Sequence, residues 1–127
     1  SGFVAGDEAL FRATLDAVRD ALAIEGQPYL VRRYLSNDFD GLNGSEGAFL
    51  ICSFWLVEAM IEAGAQADAE AMFEQLRNLQ GKFGLFAEEA DPASGAQRGN
   101  LPQAFSHVGL INAAISLADR SGRAARP

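Results

Sequence analysis

The sequence contains very little cysteine, histidine or tryptophan, with one residue of each. A single cysteine, Cys52, excludes a disulfide bond within the chain. One histidine, His107, leaves no Cys/His cluster with the ligand spacing of a zinc site. The sequence therefore predicts a protein without disulfides, without a metal site and without a cofactor.

Positive charge is also scarce, because 10 Lys and Arg residues stand against 17 Asp and Glu residues, for a net charge of -7. Such a chain has no broad basic field, which excludes general attraction to nucleic acid or to an anionic membrane. The most apolar run, residues 48–57, is shorter than the ~20 residues that span a bilayer. The N-terminus shows no secretory signal pattern, so a cytoplasmic location is expected.

Four segments carry helical periodicity within a composition that is 49% hydrophobic and 21% charged, as in ordinary globular proteins. Residues 7–23 and 65–80 have one apolar stripe each and predict half-exposed outer helices. Residues 46–63 and 102–118 are apolar around most of their circumference and predict inner helices. The predicted class is all-α, with helices in the order outer, inner, outer, inner.

Local signals suggest where these helices begin and end. Asp7 is a candidate N-cap for the first helix, and Gly26 lies just beyond its end. Gly64 is the single residue between the middle two predicted helices. Such a short connection predicts an αα-hairpin. Pro102 suits the first turn of the fourth helix. Residues 119–127, rich in Arg, Ala and Gly, predict a flexible tail.

Two connections, residues 27–45 and 81–101, are longer than a helical bundle needs. The first contains an Arg-Arg-Tyr run and two aspartates, and the second contains Glu88, Glu89 and a turn of sequence DPASG. Long loops of this kind in compact domains are where binding and catalytic residues tend to lie. We therefore expect the functional residues in these two loops.

Three ordered runs of sequence resemble one known family. They are EGAFLICSFWLVEAM (46–60), GLFAEEADPASG (84–95) and GNLPQAFSHVGLINAA (99–114). Together they resemble the C-terminal part of glycoside hydrolase family 15, which contains glucoamylases and bacterial and archaeal trehalases. The resemblance extends from about residue 2 to residue 118, and three long motifs in order make it specific.

The resemblance implies a fold and an activity. The family fold is an (α/α)6 toroid with an active site at its mouth, so residues 1–118 would form the C-terminal part of such a catalytic domain. The implied reaction is hydrolysis of an α-linked glucoside, such as trehalose, maltose or a longer α-glucan, with inversion at the anomeric carbon. This chain alone would then be a partial toroid.

The family also suggests two site residues. Its general base is the first carboxylate of a Glu-Gln or Glu-Glu pair, which corresponds to Glu88. An arginine before a tyrosine holds the sugar in glucoamylases, which corresponds to Arg33. Glu89 stands where glucoamylases commonly have Gln, which favours the trehalase-like branch and leaves Glu89 open as the base. From the residues alone, both glutamates also fit a solvated loop, and Arg32 or Arg33 also fits an ion pair with Asp38 or Asp40.

Inversion requires two carboxyl groups on opposite sides of the sugar, ~6.5–9.5 Å apart. In the family the acid directly follows a tryptophan, but here Trp55 is followed by Leu56. We therefore expect the chain to lack the general acid and to be inactive alone. We also expect it to expose inner-helix faces and to self-associate through them; these faces carry Phe49, Phe54, Trp55, Phe105 and Ile111.

The remaining chemically notable residues have structural interpretations. His107 fits a hydrogen-bonded structural histidine, Cys52 a small core residue, and Phe54 and Trp55 core positions rather than a sugar-stacking platform. Ser106 and His107 are sequence neighbours and do not predict a serine hydrolase triad. Two other functions remain open: a helical scaffold that binds a protein partner through an exposed face, and an acidic four-helix bundle without catalytic ancestry.

Overall fold

A computed structural model describes residues 5–35 and 46–124. In these ranges the chain forms four helices and five short strands. The helices are α1 (Ala9–Leu22), α2 (Leu50–Glu62), α3 (Gln66–Arg77) and α4 (Ala104–Ala124). The strands are β1 (Ala23–Ile24), β2 (Gln27–Val31), β3 (Ala48–Phe49), β4 (Glu89–Ala90) and β5 (Gln97–Arg98).

The strands form two small antiparallel sheets that the all-α prediction did not include. β1 and β2 make a hairpin with a two-residue turn at Glu25 and Gly26, and the second sheet has the order β3-β4-β5. Four of the five strands have only two residues and show no alternation of apolar and polar side chains, so the sequence pattern could not reveal them. The fold is mainly helical, as predicted, with small sheets in and beside the two long loops.

Helix α2 lies at the centre of the hydrophobic core, as its apolar sequence predicts. Eight of its thirteen residues are buried, and it packs against α3, α4 and β2. Phe54 is fully buried and contacts the rings of Phe73 and Phe86, with centroids 6.3 and 5.7 Å away. The only polar side chain in its buried set, Ser53, accepts a hydrogen bond from the Val31 N–H at 3.0 Å.

Helices α2 and α4 approach each other closely at Gly109. A Cβ atom at this position would lie 3.0 Å from Cβ of Phe54. Contacts this short are rare between side chains, so a residue without a side chain allows the close approach. The distance between α2 and α4 therefore depends on Gly109.

Several helix boundaries differ from the predictions. Helix α2 begins at Leu50 rather than at residue 46, because Ala48 and Phe49 pair with β4. The N-cap of α1 is Glu8 and makes no side-chain capping bond, so the prediction of a cap at Asp7 is wrong. Helix α4 begins at Ala104, which places Pro102 before the helix.

The end of α4 also differs, since the helix continues to Ala124 through the first part of the predicted tail, residues 119–127. Alanine and arginine favour helix, and Arg120 pairs with Glu62 of α2 at 3.0 Å. Residues 125–127 lie outside the described residues. Helix α4 therefore continues six residues beyond residue 118, where the fourth helix was predicted to end.

One side of α4 exposes a row of large apolar side chains, which we call the α4 apolar face: Phe105, Val108, Ile111 and Ile115. Phe105 is 66% exposed and Ile111 is 54% exposed. Trp55 on α2 is 53% exposed, as expected for an inner-helix face that this chain alone leaves uncovered, so it is not part of the core of this chain. Phe54, in contrast, is buried rather than exposed, and Phe49 is half-buried.

Across the described ranges, none of the helices combines the length and the apolar character that crossing a membrane requires.

Candidate active site

Residues 81–101, which we call the Glu88 loop, are held against the start of α4 by two polar side chains. The Ser106 hydroxyl donates a hydrogen bond to the Ala87 carbonyl at 2.7 Å. The Phe86 N–H donates to Nε2 of His107 at 3.3 Å, while Nδ1 lies 2.8 Å from the Gln103 carbonyl. These contacts require the tautomer with its hydrogen on Nδ1. His107 is thus hydrogen-bonded through both ring nitrogens, as predicted for a structural histidine.

Glu88 is held by its backbone on both sides. Its N–H donates to the Asn100 carbonyl at 3.0 Å, and its carbonyl accepts from the N–H of Leu50, the first residue of α2, at 3.1 Å. The residue is half-buried, and its Oε2 accepts exposed hydrogen bonds from Nδ2 of Asn100 at 3.2 Å and from the backbone nitrogen of Asn100 at 3.4 Å. Glu88 therefore occupies a defined position between α2 and the second half of its own loop.

The Glu89 carboxylate has a different hydrogen-bond partner from the Glu88 carboxylate. In β4 it pairs with Phe49 of β3 and Arg98 of β5, and its Oε2 accepts a hydrogen bond from the Gly47 N–H at 2.9 Å. The two adjacent carboxylates therefore diverge, as expected for neighbours on an extended segment. The Glu89 side chain braces the segment that leads into β3.

Arg33 lies between two aromatic rings. Its guanidinium carbon is 4.8 Å from the ring centroid of Tyr34 and 4.7 Å from that of Phe49. Nη2 donates to the Tyr34 hydroxyl at 3.2 Å and pairs with Oε1 of Glu46. The alternative partners proposed from the sequence, Asp38 and Asp40, lie outside the described residues.

Phe49 connects the two predicted site regions. One face of its ring carries the Arg33 guanidinium, and its backbone pairs with Glu89, the residue after Glu88. The sequence did not indicate Glu46 and Phe49 as members of this cluster, because the pattern of residues 46–63 predicts a helix that contains both. The sequence feature that could have indicated these two residues is the family-like motif of residues 46–60, which begins at Glu46.

The turn after β4 closes the Glu88 loop. Asp91 accepts hydrogen bonds from the N–H groups of Ser94 and Ala93, each at 2.9 Å, and forms an ion pair with Arg98. The backbone N–H and the hydroxyl of Ser94 hold the pKa of Asp91 below its ordinary value. The turn is therefore a fixed structural element that returns the chain to β5.

An apolar groove of about 420 Å³ runs between α1 and α2. Cys52 lines it together with Leu10, Val18 and Trp55. Burial raises the pKa of the Cys52 thiol, which fits a small apolar core residue rather than a reactive thiol. Within the described ranges, no three His, Cys, Asp or Glu side chains are grouped as metal ligands would be.

Gly99 provides a test of how tightly Glu88 is packed. Its φ is +74°, and a Cβ there would lie 3.0 Å from Cβ and 2.9 Å from Oε2 of Glu88. Gly99→Ala is expected to lower the free energy of unfolding by the ~1–2 kcal/mol of a left-handed alanine and by a further ~1–3 kcal/mol of overpacking. Urea denaturation of the purified chain measures this loss.

Gly26→Ala is the matched control for this prediction. Gly26 has a φ of +77° and nothing within 4 Å of the added Cβ. This variant carries the backbone cost without the contact, so it should lose less stability than Gly99→Ala. Equal losses in the two variants would mean that Glu88 moves away from Gly99 without resistance.

Comparison with known proteins identifies relatives over most of the chain. Residues 2–115 match the family described as glycosyl hydrolases family 15. The chain is 42% identical to a trehalase of Mycolicibacterium smegmatis and 42% identical to a trehalase of Mycobacterium tuberculosis, with 94% of this chain covered in each case. It is 38% identical to a trehalase of Thermoplasma acidophilum over 91% of this chain.

The similarity covers only a small part of each relative. The chain spans 18–19% of the length of these three trehalases. No solved structure matches the chain significantly.

Proposed function

The chain belongs to glycosyl hydrolase family 15, and from this membership we propose that it supplies the general-base side of an active site that hydrolyses an α-linked glucoside with inversion. The observation that carries this proposal is that Glu88 is half-buried and held in a loop bound to both α2 and α4, with its carboxylate hydrogen-bonded to Asn100. Trehalose is the first substrate to test, because similar proteins are named trehalases.

In the proposed reaction Glu88 removes a proton from a water molecule. The water oxygen forms a bond to the anomeric carbon while the bond from that carbon to the glycosidic oxygen breaks. A second carboxylic acid gives its proton to the leaving oxygen, and the two carboxyl groups lie ~6.5–9.5 Å apart so that the water fits. We assign the second group to a part of the protein outside this chain, so the chain alone should be inactive.

Two contacts favour Glu88 over Glu89 as the base. Glu89 accepts the Gly47 N–H and belongs to the middle strand of a sheet, so its side chain has a bracing role. Glu88 is held through Oε2 by Asn100. We assign Oε1 of Glu88 as the atom that takes the proton.

Arg33 is proposed to bind the sugar. A guanidinium group has five N–H donors, and the contacts of Arg33 with Tyr34 and Glu46 both involve Nη2. The remaining donors suit the hydroxyl groups of a glucose ring, and the flanking rings of Tyr34 and Phe49 suit its apolar faces.

The four helices are proposed to form part of an (α/α)6 toroid, with α1 and α3 outside and α2 and α4 inside. The burial of α2 and its packing on both α3 and α4 support this arrangement. The exposed α4 apolar face also supports a second candidate function, a helical module that binds a protein partner. A cytoplasmic location stays a prediction from the sequence.

The test of the proposed function is an assay of the complete gene product on trehalose, maltose and longer α-glucans, with the product anomers followed by proton NMR. Inversion of trehalose releases one β-glucose and one α-glucose, whereas retention releases α-glucose twice. The first result supports the proposal. Early release of α-glucose alone, or no turnover of any α-glucoside, would contradict it.

A further inference from the structure

The two carboxylate oxygens of Glu46 have different surroundings. Oε1 pairs with Nη2 of Arg33, while Oε2 is buried and, within the described ranges, has no hydrogen-bond partner. The Glu46 side chain is only 14% exposed, whereas that of Arg33 is 42% exposed. Burial of a carboxylate is costly unless it is paired, so the ion pair with Arg33 is the contact among the described residues that offsets the burial of Glu46.

The ion pair completes a set of contacts that fix the Arg33 guanidinium. The rings of Tyr34 and Phe49 flank it, and the Tyr34 hydroxyl and Glu46 accept its hydrogen bonds. An exposed arginine otherwise samples many rotamers, and this freedom is lost when it binds a ligand. A guanidinium that is already oriented avoids that loss.

Glu46 also ties Arg33 to the Glu88 loop. The next residue, Gly47, donates its N–H to the Glu89 carboxylate, and the strand that follows pairs with β4. The backbone that carries Glu46 is therefore held by the residue adjacent to Glu88. Through this connection the position of the Arg33 guanidinium is coupled to the position of the proposed base.

We propose that Glu46 is a positioning residue that orients the Arg33 guanidinium between Tyr34 and Phe49 for binding of an α-glucoside. This inference rests on the proposed function, since it assigns a role in the same site. Glu46 acts through Arg33 and does not touch the sugar. The consequence is that Glu46 and Arg33 contribute to sugar affinity as one unit.

A double-mutant cycle in the complete gene product tests this inference. Glu46→Gln removes the charge but keeps the shape, and it should raise KM for trehalose about tenfold, the equivalent of one charge-assisted hydrogen bond. It should change kcat much less. In an Arg33→Gln background, Glu46→Gln should have no further effect on KM, because its only route to the sugar has been removed.

Glu74→Gln is the matched control, because it also removes a carboxylate from an Arg–Glu pair, that with Arg77 at 2.6 Å. It should leave KM unchanged. Additive effects of the Arg33 and Glu46 changes on KM would overturn the inference. Loss of thermal stability in Glu46→Gln with an unchanged KM would also overturn it, because the residue would then be merely structural.

Binding of trehalose, measured by calorimetry, separates this inference from the proposed function because it needs no turnover. A complete protein that binds trehalose through a coupled Arg33–Glu46 pair but does not hydrolyse it would contradict the proposed function alone. An active protein whose affinity is insensitive to Glu46→Gln would contradict the inference alone. A protein that binds no α-glucoside would overturn both.

Discussion

Glu88→Gln is expected to lower kcat of the complete protein on trehalose by roughly 10²–10⁴-fold, the usual contribution of a general base. The amide has nearly the same shape and its oxygen still accepts the hydrogen bonds from Asn100. The fold and the affinity for the sugar should therefore change little. Steady-state kinetics together with thermal unfolding of the variant measure both parts of this expectation.

Glu89→Gln is the control for this substitution. It changes the adjacent residue by the same atoms, and its amide oxygen still accepts the Gly47 N–H. We expect this variant to retain most of its turnover. An equal loss in both variants, or a loss only in Glu89→Gln, would mean that the assignment within the pair is wrong.

The purified 127-residue chain is expected to self-associate at micromolar concentration. The α4 apolar face exposes four large side chains on one side of a single helix, and Trp55 adds a fifth on α2. Each such side chain gains ~1.5–3 kcal/mol when it is fully buried. Pairing of this face between two copies would cover it, and sedimentation velocity measures the association.

Replacing Phe105 and Ile111 with glutamine should weaken this association at least about a hundredfold, since two apolar anchors per copy are lost. Phe83→Gln is the control, because Phe83 is 80% exposed but lies in the Glu88 loop rather than on α4. A monomeric parent chain would contradict the prediction. Dissociation by Phe83→Gln would show that another surface is used.

The helices were predictable because they bury apolar residues with a period that the sequence displays directly. The centre of α2 is the best example, since its residues are apolar on nearly every side and eight are buried. Trp55 and Phe54 show the limit of this reasoning. They are adjacent and equally apolar, yet only Phe54 is buried, because which side of α2 is covered depends on the helices that pack against it.

The site was only partly predictable. Glu88 and Arg33 came from the resemblance, because an acidic pair and an arginine in loops have no distinguishing local pattern. The ion pair between Arg33 and Glu46 joins residues 13 positions apart in the sequence. The short β3–β4 pairing, which depends on contacts between distant segments, sets the place of Glu46.

The close approach of α2 and α4 at Gly109 also affects the position of the Glu88 loop. The Glu88 loop is attached to α2 at Leu50 and to α4 at Ser106, so it spans the two helices whose separation Gly109 permits. A larger side chain at Gly109 would push α2 and α4 apart. Leu50 and Ser106, which hold the loop, would then lie farther from each other. In a mutational scan of the complete protein, substitutions of Gly109 should therefore lower activity about as much as substitutions of the proposed site residues, although Gly109 is not one of them.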